Sequence, residues 1–129
     1  MSSYPVAMRD AAFRHHRCAD RLMQADEFDE AGYLFGLAAE CAIKAMSEVL
    51  SCLRRSDLQY AHFPELRNHV LDYAEGRRAT ELSRLMANGR CLAGWHVSIR
   101  CSRKKAVTSK TVKIWRDDTV AALNLMEST

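Results

Sequence analysis

Residues 26–52, DEFDEAGYLFGLAAECAIKAMSEVLSC, decide the fold. Within them Ala31, Leu34, Phe35, Ala38, Cys41, Ala42, Ala45, Met46, Val49 and Leu50 recur at steps of three and four, which lays them along one face of a helix. An apolar face this wide belongs to the central element of a bundle. Asp26 is placed to cap the start, and Glu27, Asp29 and Glu30 suit the positive end of the helix dipole. Arg54 and Arg55 suit the negative end, so the helix is expected to run to about Cys52. Gly32 and Gly36 lie one turn apart inside it. Glycine there costs about 1 kcal/mol against alanine, so the pair predicts the close approach of a neighbouring helix, with a ligand reaching the backbone as the minor alternative. Glu40 pairs with Lys44 at i,i+4, yet it sits among Leu37, Ala38, Ala39, Cys41, Ala42 and Ile43, where a carboxylate is partly desolvated. Its expected role is to anchor the following loop through hydrogen bonds.

Helices extend outward on both sides. From Pro5 to about Gln24, Ala7, Met8, Ala11, Ala12, His15, Cys18, Ala19 and Leu22 keep a helical period, with Pro5 in the first turn. Beyond the central helix, Pro64 opens a short helix that Gly76 is expected to end. A fourth covers about Arg78 to Ala87 and stops at Asn88-Gly89. Residues 90–107 lack a sustained period and read as an ordered loop, because the one alternating run, Trp95, Val97 and Ile99, makes no sheet alone. Ser109 is the expected cap of a last helix with the seam Val112, Trp115, Thr119, Ala122, Leu123 and Met126. The fold class is all-α: one domain over residues 1–129, a bundle of about five helices.

Composition agrees. The chain has 129 residues, 48% hydrophobic and 27% charged, enough to build one core and too ordered in composition for a disordered tail. No apolar run approaches the roughly 20 residues that span a bilayer. The opening MSSYPVAMRD has neither the basic start nor the apolar stretch of a signal peptide. Five cysteines without a pairing pattern fit a reduced, cytoplasmic protein.

The charge is divided unequally. Residues 1–66 carry a net −3 and residues 67–129 a net +6. Positions 100–116 hold Arg100, Arg103, Lys104, Lys105, Lys110, Lys113 and Arg116 without an acid among them. Such a stripe attracts phosphates on RNA or a nucleotide, or an acidic partner protein; the plainer reading is a solvated face.

Compact chemical motifs are absent: no CxxC pair, HExxH, phosphate-binding glycine loop or GxSxG elbow occurs. No metal and no cofactor is expected, and the scattered cysteines read as small apolar residues. His15 reads as a hydrogen-bonded core histidine, and His62 and His69 as a cap or surface pair around the third helix. Arg90 and His96, an Arg-x5-His pair in a basic setting, are the candidate catalytic residues. Histidine there would move the proton of a 2′-hydroxyl or leaving oxygen, and arginine would stabilise charge on the phosphate. Trp95 between them is either a core plug or a platform for a base.

Several stretches also carry a family resemblance. Residues 14–20 and 29–45 resemble the first two helices of bacterial HEPN domains. Residues 62–66 and 95–100 resemble the family's histidine-containing segment and late region. The resemblance implies an up-and-down helical core that dimerises through its helices. Many HEPN proteins are metal-independent RNases with an Arg-x4–6-His motif on each subunit, which Arg90 and His96 match in spacing. In this chain Cys91 stands where a polar residue commonly follows the arginine, and Arg100, the more family-like arginine, has no histidine after it. Other HEPN proteins are binding modules, often paired with a nucleotidyltransferase antitoxin.

Three functions are therefore expected in order. The first is an RNA- or nucleotide-binding homodimer whose Arg100, Arg103, Lys104, Lys105, Lys110 and Lys113 contact phosphates, as an accessory or toxin–antitoxin module. The second is a metal-independent RNA endonuclease using Arg90 and His96. The third is an interaction module that docks a nucleotidyltransferase-type partner.

Overall fold

The computed structural model describes residues 4–129; Met1, Ser2 and Ser3 at the head of the opening stretch lie outside them. Five α-helices follow in order: α1 Met8–Gln24, α2 Phe28–Val49, α3 Glu65–Tyr73, α4 Arg77–Ala87 and α5 Ser109–Ser128. Two short 3-10 turns, Leu58–Tyr60 and Val97–Cys101, lie in the long connections, and no strand occurs among the described residues. The protein is a small all-α helical bundle.

The helix at the centre is α2, packed chiefly against α1 and α5. Phe35, Ala38, Ala39, Ala42, Ile43 and Met46 on α2 are buried, and every member of the expected α5 seam is buried too. The smaller helices α3 and α4 pack against each other and add Leu66, Val70, Leu82 and Met86 to the core. No helix among the described residues is long and apolar enough to cross a membrane.

Several helix ends differ from expectation. Pro5 precedes α1, which starts at Met8 after a non-helical Ala7. Asp26 caps nothing: at φ 60° it is left-handed, and its N–H donates to Met23 O at 3.1 Å, so it closes α1 rather than opening α2. Short polar Asp tolerates that conformation better than most residues. At its far end α2 stops at Val49, where Leu50 turns extended. Likewise Gly76 does not end α3, which stops at Tyr73; at φ 82° it is the residue that leads into α4. Thr108, not Ser109, caps α5, its Oγ1 accepting the Thr111 N–H at 3.2 Å.

The two glycines of α2 are seats for indoles. A Cβ on Gly36 would collide with the Trp95 ring, and one on Gly32 would lie 3.0 Å from Trp115 Cε3 and 3.1 Å from Val107 Cγ1. The close approach is thus partly a helix, α5 through Trp115, and partly the loop through Trp95. Trp95 Nε1 donates to Gly32 O at 3.1 Å, using a carbonyl that the missing side chain leaves accessible.

Candidate nucleic-acid interface

The segment from Asn88 to Thr108 carries most of the candidate residues, and three elements hold it. Asp118 of α5 accepts the Leu92 N–H at 2.8 Å, Trp115 Nε1 donates to Ala93 O at 3.0 Å, and Arg67 of α3 donates to Cys91 O. Trp95 sits among Gly36, Tyr33 and Phe63, its ring stacked on Tyr33 at 6.3 Å and edge-on to Phe63 at 6.2 Å. It is 4% exposed, which makes it the core plug and rules out a base platform. Farther along, Asp29 in the first turn of α2 accepts two backbone N–H groups, from Lys105 at 2.7 Å and Val107 at 2.8 Å. The loop that carries the cations is therefore pinned through its backbone, and its side chains are left outward.

Arg100, Arg103, Lys104, Lys105, Lys110 and Lys113 are all exposed. None of them forms an ion pair with a described residue. Arg116 departs from the set: it is half-buried, with Nη1 3.8 Å from Met23 Sδ and Nε 3.6 Å from Asp117 Oδ1. The acidic corner Asp26, Glu27 and Asp29 borders Lys104 and Lys105 in a cleft of about 580 Å³. The positive surface is therefore least diluted at Arg100, Arg103, Lys110 and Lys113.

Arg90 and His96 lie on the pinned segment and both are exposed. The Arg90 backbone N–H donates to Asn88 Oδ1 at 3.0 Å. The His96 ring serves the backbone, since Nδ1 accepts the Ser98 N–H at 3.0 Å and lies 2.8 Å from Ser98 Oγ, capping the 3-10 turn. With that lone pair engaged, the neutral ring carries its hydrogen on Nε2. A ring held in that tautomer offers water a donor and no basic nitrogen.

The other histidines depart furthest from expectation. His15 is half-buried and makes no side-chain hydrogen bond to a described residue; burial, then the neighbouring Arg14 charge, holds it below its ordinary pKa. His69 is buried rather than superficial, with Nε2 2.9 Å from Leu53 O and Nδ1 3.4 Å from Arg55 Nη1. His62 is no simple cap either. Its Nδ1 is 2.8 Å from Glu40 Oε1, and Glu40 Oε2 accepts the Phe63 N–H at 2.7 Å. Glu40, 1% exposed, is the expected anchor of the connection to α3. Its expected ion pair with Lys44 is absent: Lys44 Nζ donates to Gln59 O at 3.0 Å instead. With Glu40 ionised, His62 Nδ1 holds the hydrogen and the Nε2 lone pair is available, the tautomer a proton acceptor needs. This pairing spans the α2–α3 connection, which periodicity does not register; the carboxylate inside an apolar run was its one sequence signal.

No group of three or more His, Cys, Asp or Glu among the described residues is placed to hold a metal ion. Comparison of the chain with family models, with characterised proteins and with solved structures finds no significant match.

Proposed function

We propose that the protein binds RNA or a nucleotide through the phosphate-facing surface formed by Arg100, Arg103, Lys104, Lys105, Lys110 and Lys113. One observation carries this reading: Arg100, Arg103, Lys104 and Lys105 stand exposed on a segment whose backbone is tied down by Asp29 and Asp118, Lys110 and Lys113 follow on the first turns of α5, and none of the six has a carboxylate partner among the described residues. A backbone already held loses little freedom on binding, and unpaired cations need not give up a partner. Contacts of this kind position a phosphate backbone without reading bases. The proposed setting is a HEPN-like homodimer in the cytoplasm, working as an accessory or toxin–antitoxin module. A nucleotidyltransferase-type antitoxin is its proposed protein partner.

The test is fluorescence anisotropy with labelled single-stranded RNA across a potassium chloride series. Six phosphate contacts on a single strand give a log–log salt slope of about −4. Replacing Arg100 and Arg103 by Glu is expected to lower that slope by about 1.4 and weaken all sequences alike. Salt-insensitive binding, or an unchanged slope in the double variant, rejects the surface. Light scattering after gel filtration tests the dimer.

RNA cleavage through Arg90 and His96 has less support, because the His96 cap occupies the nitrogen that would take a proton. Cleavage of cellular RNA in EDTA that disappears in His96→Ala would nonetheless establish it. Cleavage that survives this change but is lost in His62→Ala would move the proton transfer to the Glu40–His62 pair, since both His69 ring nitrogens are engaged.

A further inference from the structure

At the end of α2 away from the basic segment, Lys44 is 5% exposed and faces a pocket of about 220 Å³ beside the turn that leads to Leu58. Buried ammonium groups are ordinarily paired with a carboxylate. Among the described residues Lys44 has none within ion-pair distance; one of its three N–H bonds goes to Gln59 O and the other two have no acceptor there. Glu40, one turn earlier, spends its carboxylate on His62 and Phe63. Arg54 lines the same pocket, its Nε fixed on Glu48 O at 3.1 Å, which leaves the terminal nitrogens unengaged. Ser56 adds an exposed hydroxyl. Arg55 is already neutralised by Asp57, at 2.7 and 2.9 Å. Glu48 is the single carboxylate on the described wall, and it pairs with none of these cations.

We infer that this pocket is an anion site for a phosphoryl group, held by Lys44 and Arg54 with Ser56 at the rim. The ligand is inorganic phosphate or the phosphate end of a small monoester. A volume of about 220 Å³ leaves room for a phosphate group. A doubly charged tetrahedral anion uses the two idle Lys44 donors and the open fork of Arg54 together, which chloride cannot do. Burial holds the Lys44 ammonium below its ordinary pKa, only partly opposed by the Glu40 charge one turn away. None of the wall comes from residues 100–116, so the pocket and the RNA surface are separate sites.

The full chain is titrated with inorganic phosphate and, separately, with ribose 5-phosphate, by calorimetry and by thermal unfolding against chloride at equal ionic strength. Phosphate is expected to bind and to raise Tm where chloride does not. Arg54→Ala is expected to weaken binding about tenfold, the size of one charge-assisted contact, and Lys44→Met to abolish it. Arg54 is exposed, so the first variant stays informative should the second fail to fold. Tighter binding of ribose 5-phosphate assigns the site to a monoester, and equal or weaker binding assigns it to free phosphate. No binding by wild type, equal binding by Arg54→Ala, or loss of binding in a Lys104→Glu/Lys105→Glu chain overturns the inference.

Discussion

Glu40 and His62 meet at 2.8 Å across 22 residues, joining the middle of α2 to the start of the α3 segment. Through Oε2 the same carboxylate holds the Phe63 N–H, so one buried side chain fixes both the histidine and the backbone beside it.

Replacing Glu40 by Ala leaves both donors without an acceptor, and we expect a loss of about 3 kcal/mol, read as the urea midpoint at neutral pH. The pH dependence has a definite sign. Burial, opposed by the His62 and Phe63 hydrogen bonds and by the Lys44 charge, raises the Glu40 carboxyl above the ordinary carboxylate range. The folded state then holds a proton that the unfolded state has released. This stabilisation is full below the ordinary range and disappears as pH rises through the native value. The stability of wild type relative to Glu40→Gln should therefore fall across that window and level off above it. A difference that grows with pH contradicts the assignment.

Gly36→Ala should destabilise although alanine favours a helix by about 1 kcal/mol. The new methyl overlaps the Trp95 ring, so we expect a net loss of about 2 kcal/mol. Gly32→Ala meets Trp115 and Val107 at 3.0 and 3.1 Å and should cost less. Thermal unfolding of both variants checks the order; the reverse order would mean that the Trp95 seat is not rigid.

Asp29→Ala sets Coulomb's law against ordering. Removing an acid beside Lys105 should strengthen RNA binding on charge alone. The same change frees the Lys105 and Val107 backbone groups, and we expect affinity to fall about fivefold, the equivalent of roughly 1 kcal/mol. Anisotropy at one salt concentration distinguishes the two; tighter binding would show that the tether is not what presents the cations.

Cysteine reactivity should divide along burial. The Cys91 thiol is pushed up to about 11, first by burial and then by the Asp118 charge. At pH 8 about one in a thousand of these thiols is ionised. Cys101 is exposed and should react first with a thiol reagent, whereas Cys91 should react only after unfolding. Mass spectrometry of partly modified protein reads the order directly.

The α5 seam was legible because period and burial are the same physical fact, seen first in residue spacing and then in packing. The α2 face was legible in part: Phe35, Ala38, Ala42 and Met46 are buried as expected, whereas Val49 is exposed and Ala39 and Ile43, outside the expected face, are buried. The Glu40 anchor was legible for a related reason, since a carboxylate in an apolar run must find donors. Boundaries were harder to read. Asp26 and Gly76 both stand between two helices, and a residue tolerant of positive φ serves the end of one as readily as the approach to the next. His62 and Lys44 escaped because their surroundings come from the connection around residues 59–63, where no period applies. The fate of Trp95 turned on Gly36, and its place in that seat depends on how a loop returns across α2, which local spacing does not encode.

The chain has two tryptophans, and both indole rings are seated on α2, Trp95 at Gly36 with its N–H donating to Gly32 O, and Trp115 at Gly32 with its N–H donating to Ala93 O within the C-terminal half. Tryptophan fluorescence consequently carries no signal from elsewhere in the molecule. A red shift in emission reports the lifting of the C-terminal half from α2, and an unshifted spectrum on adding RNA reports docking onto a bundle that stays closed, without any attached label.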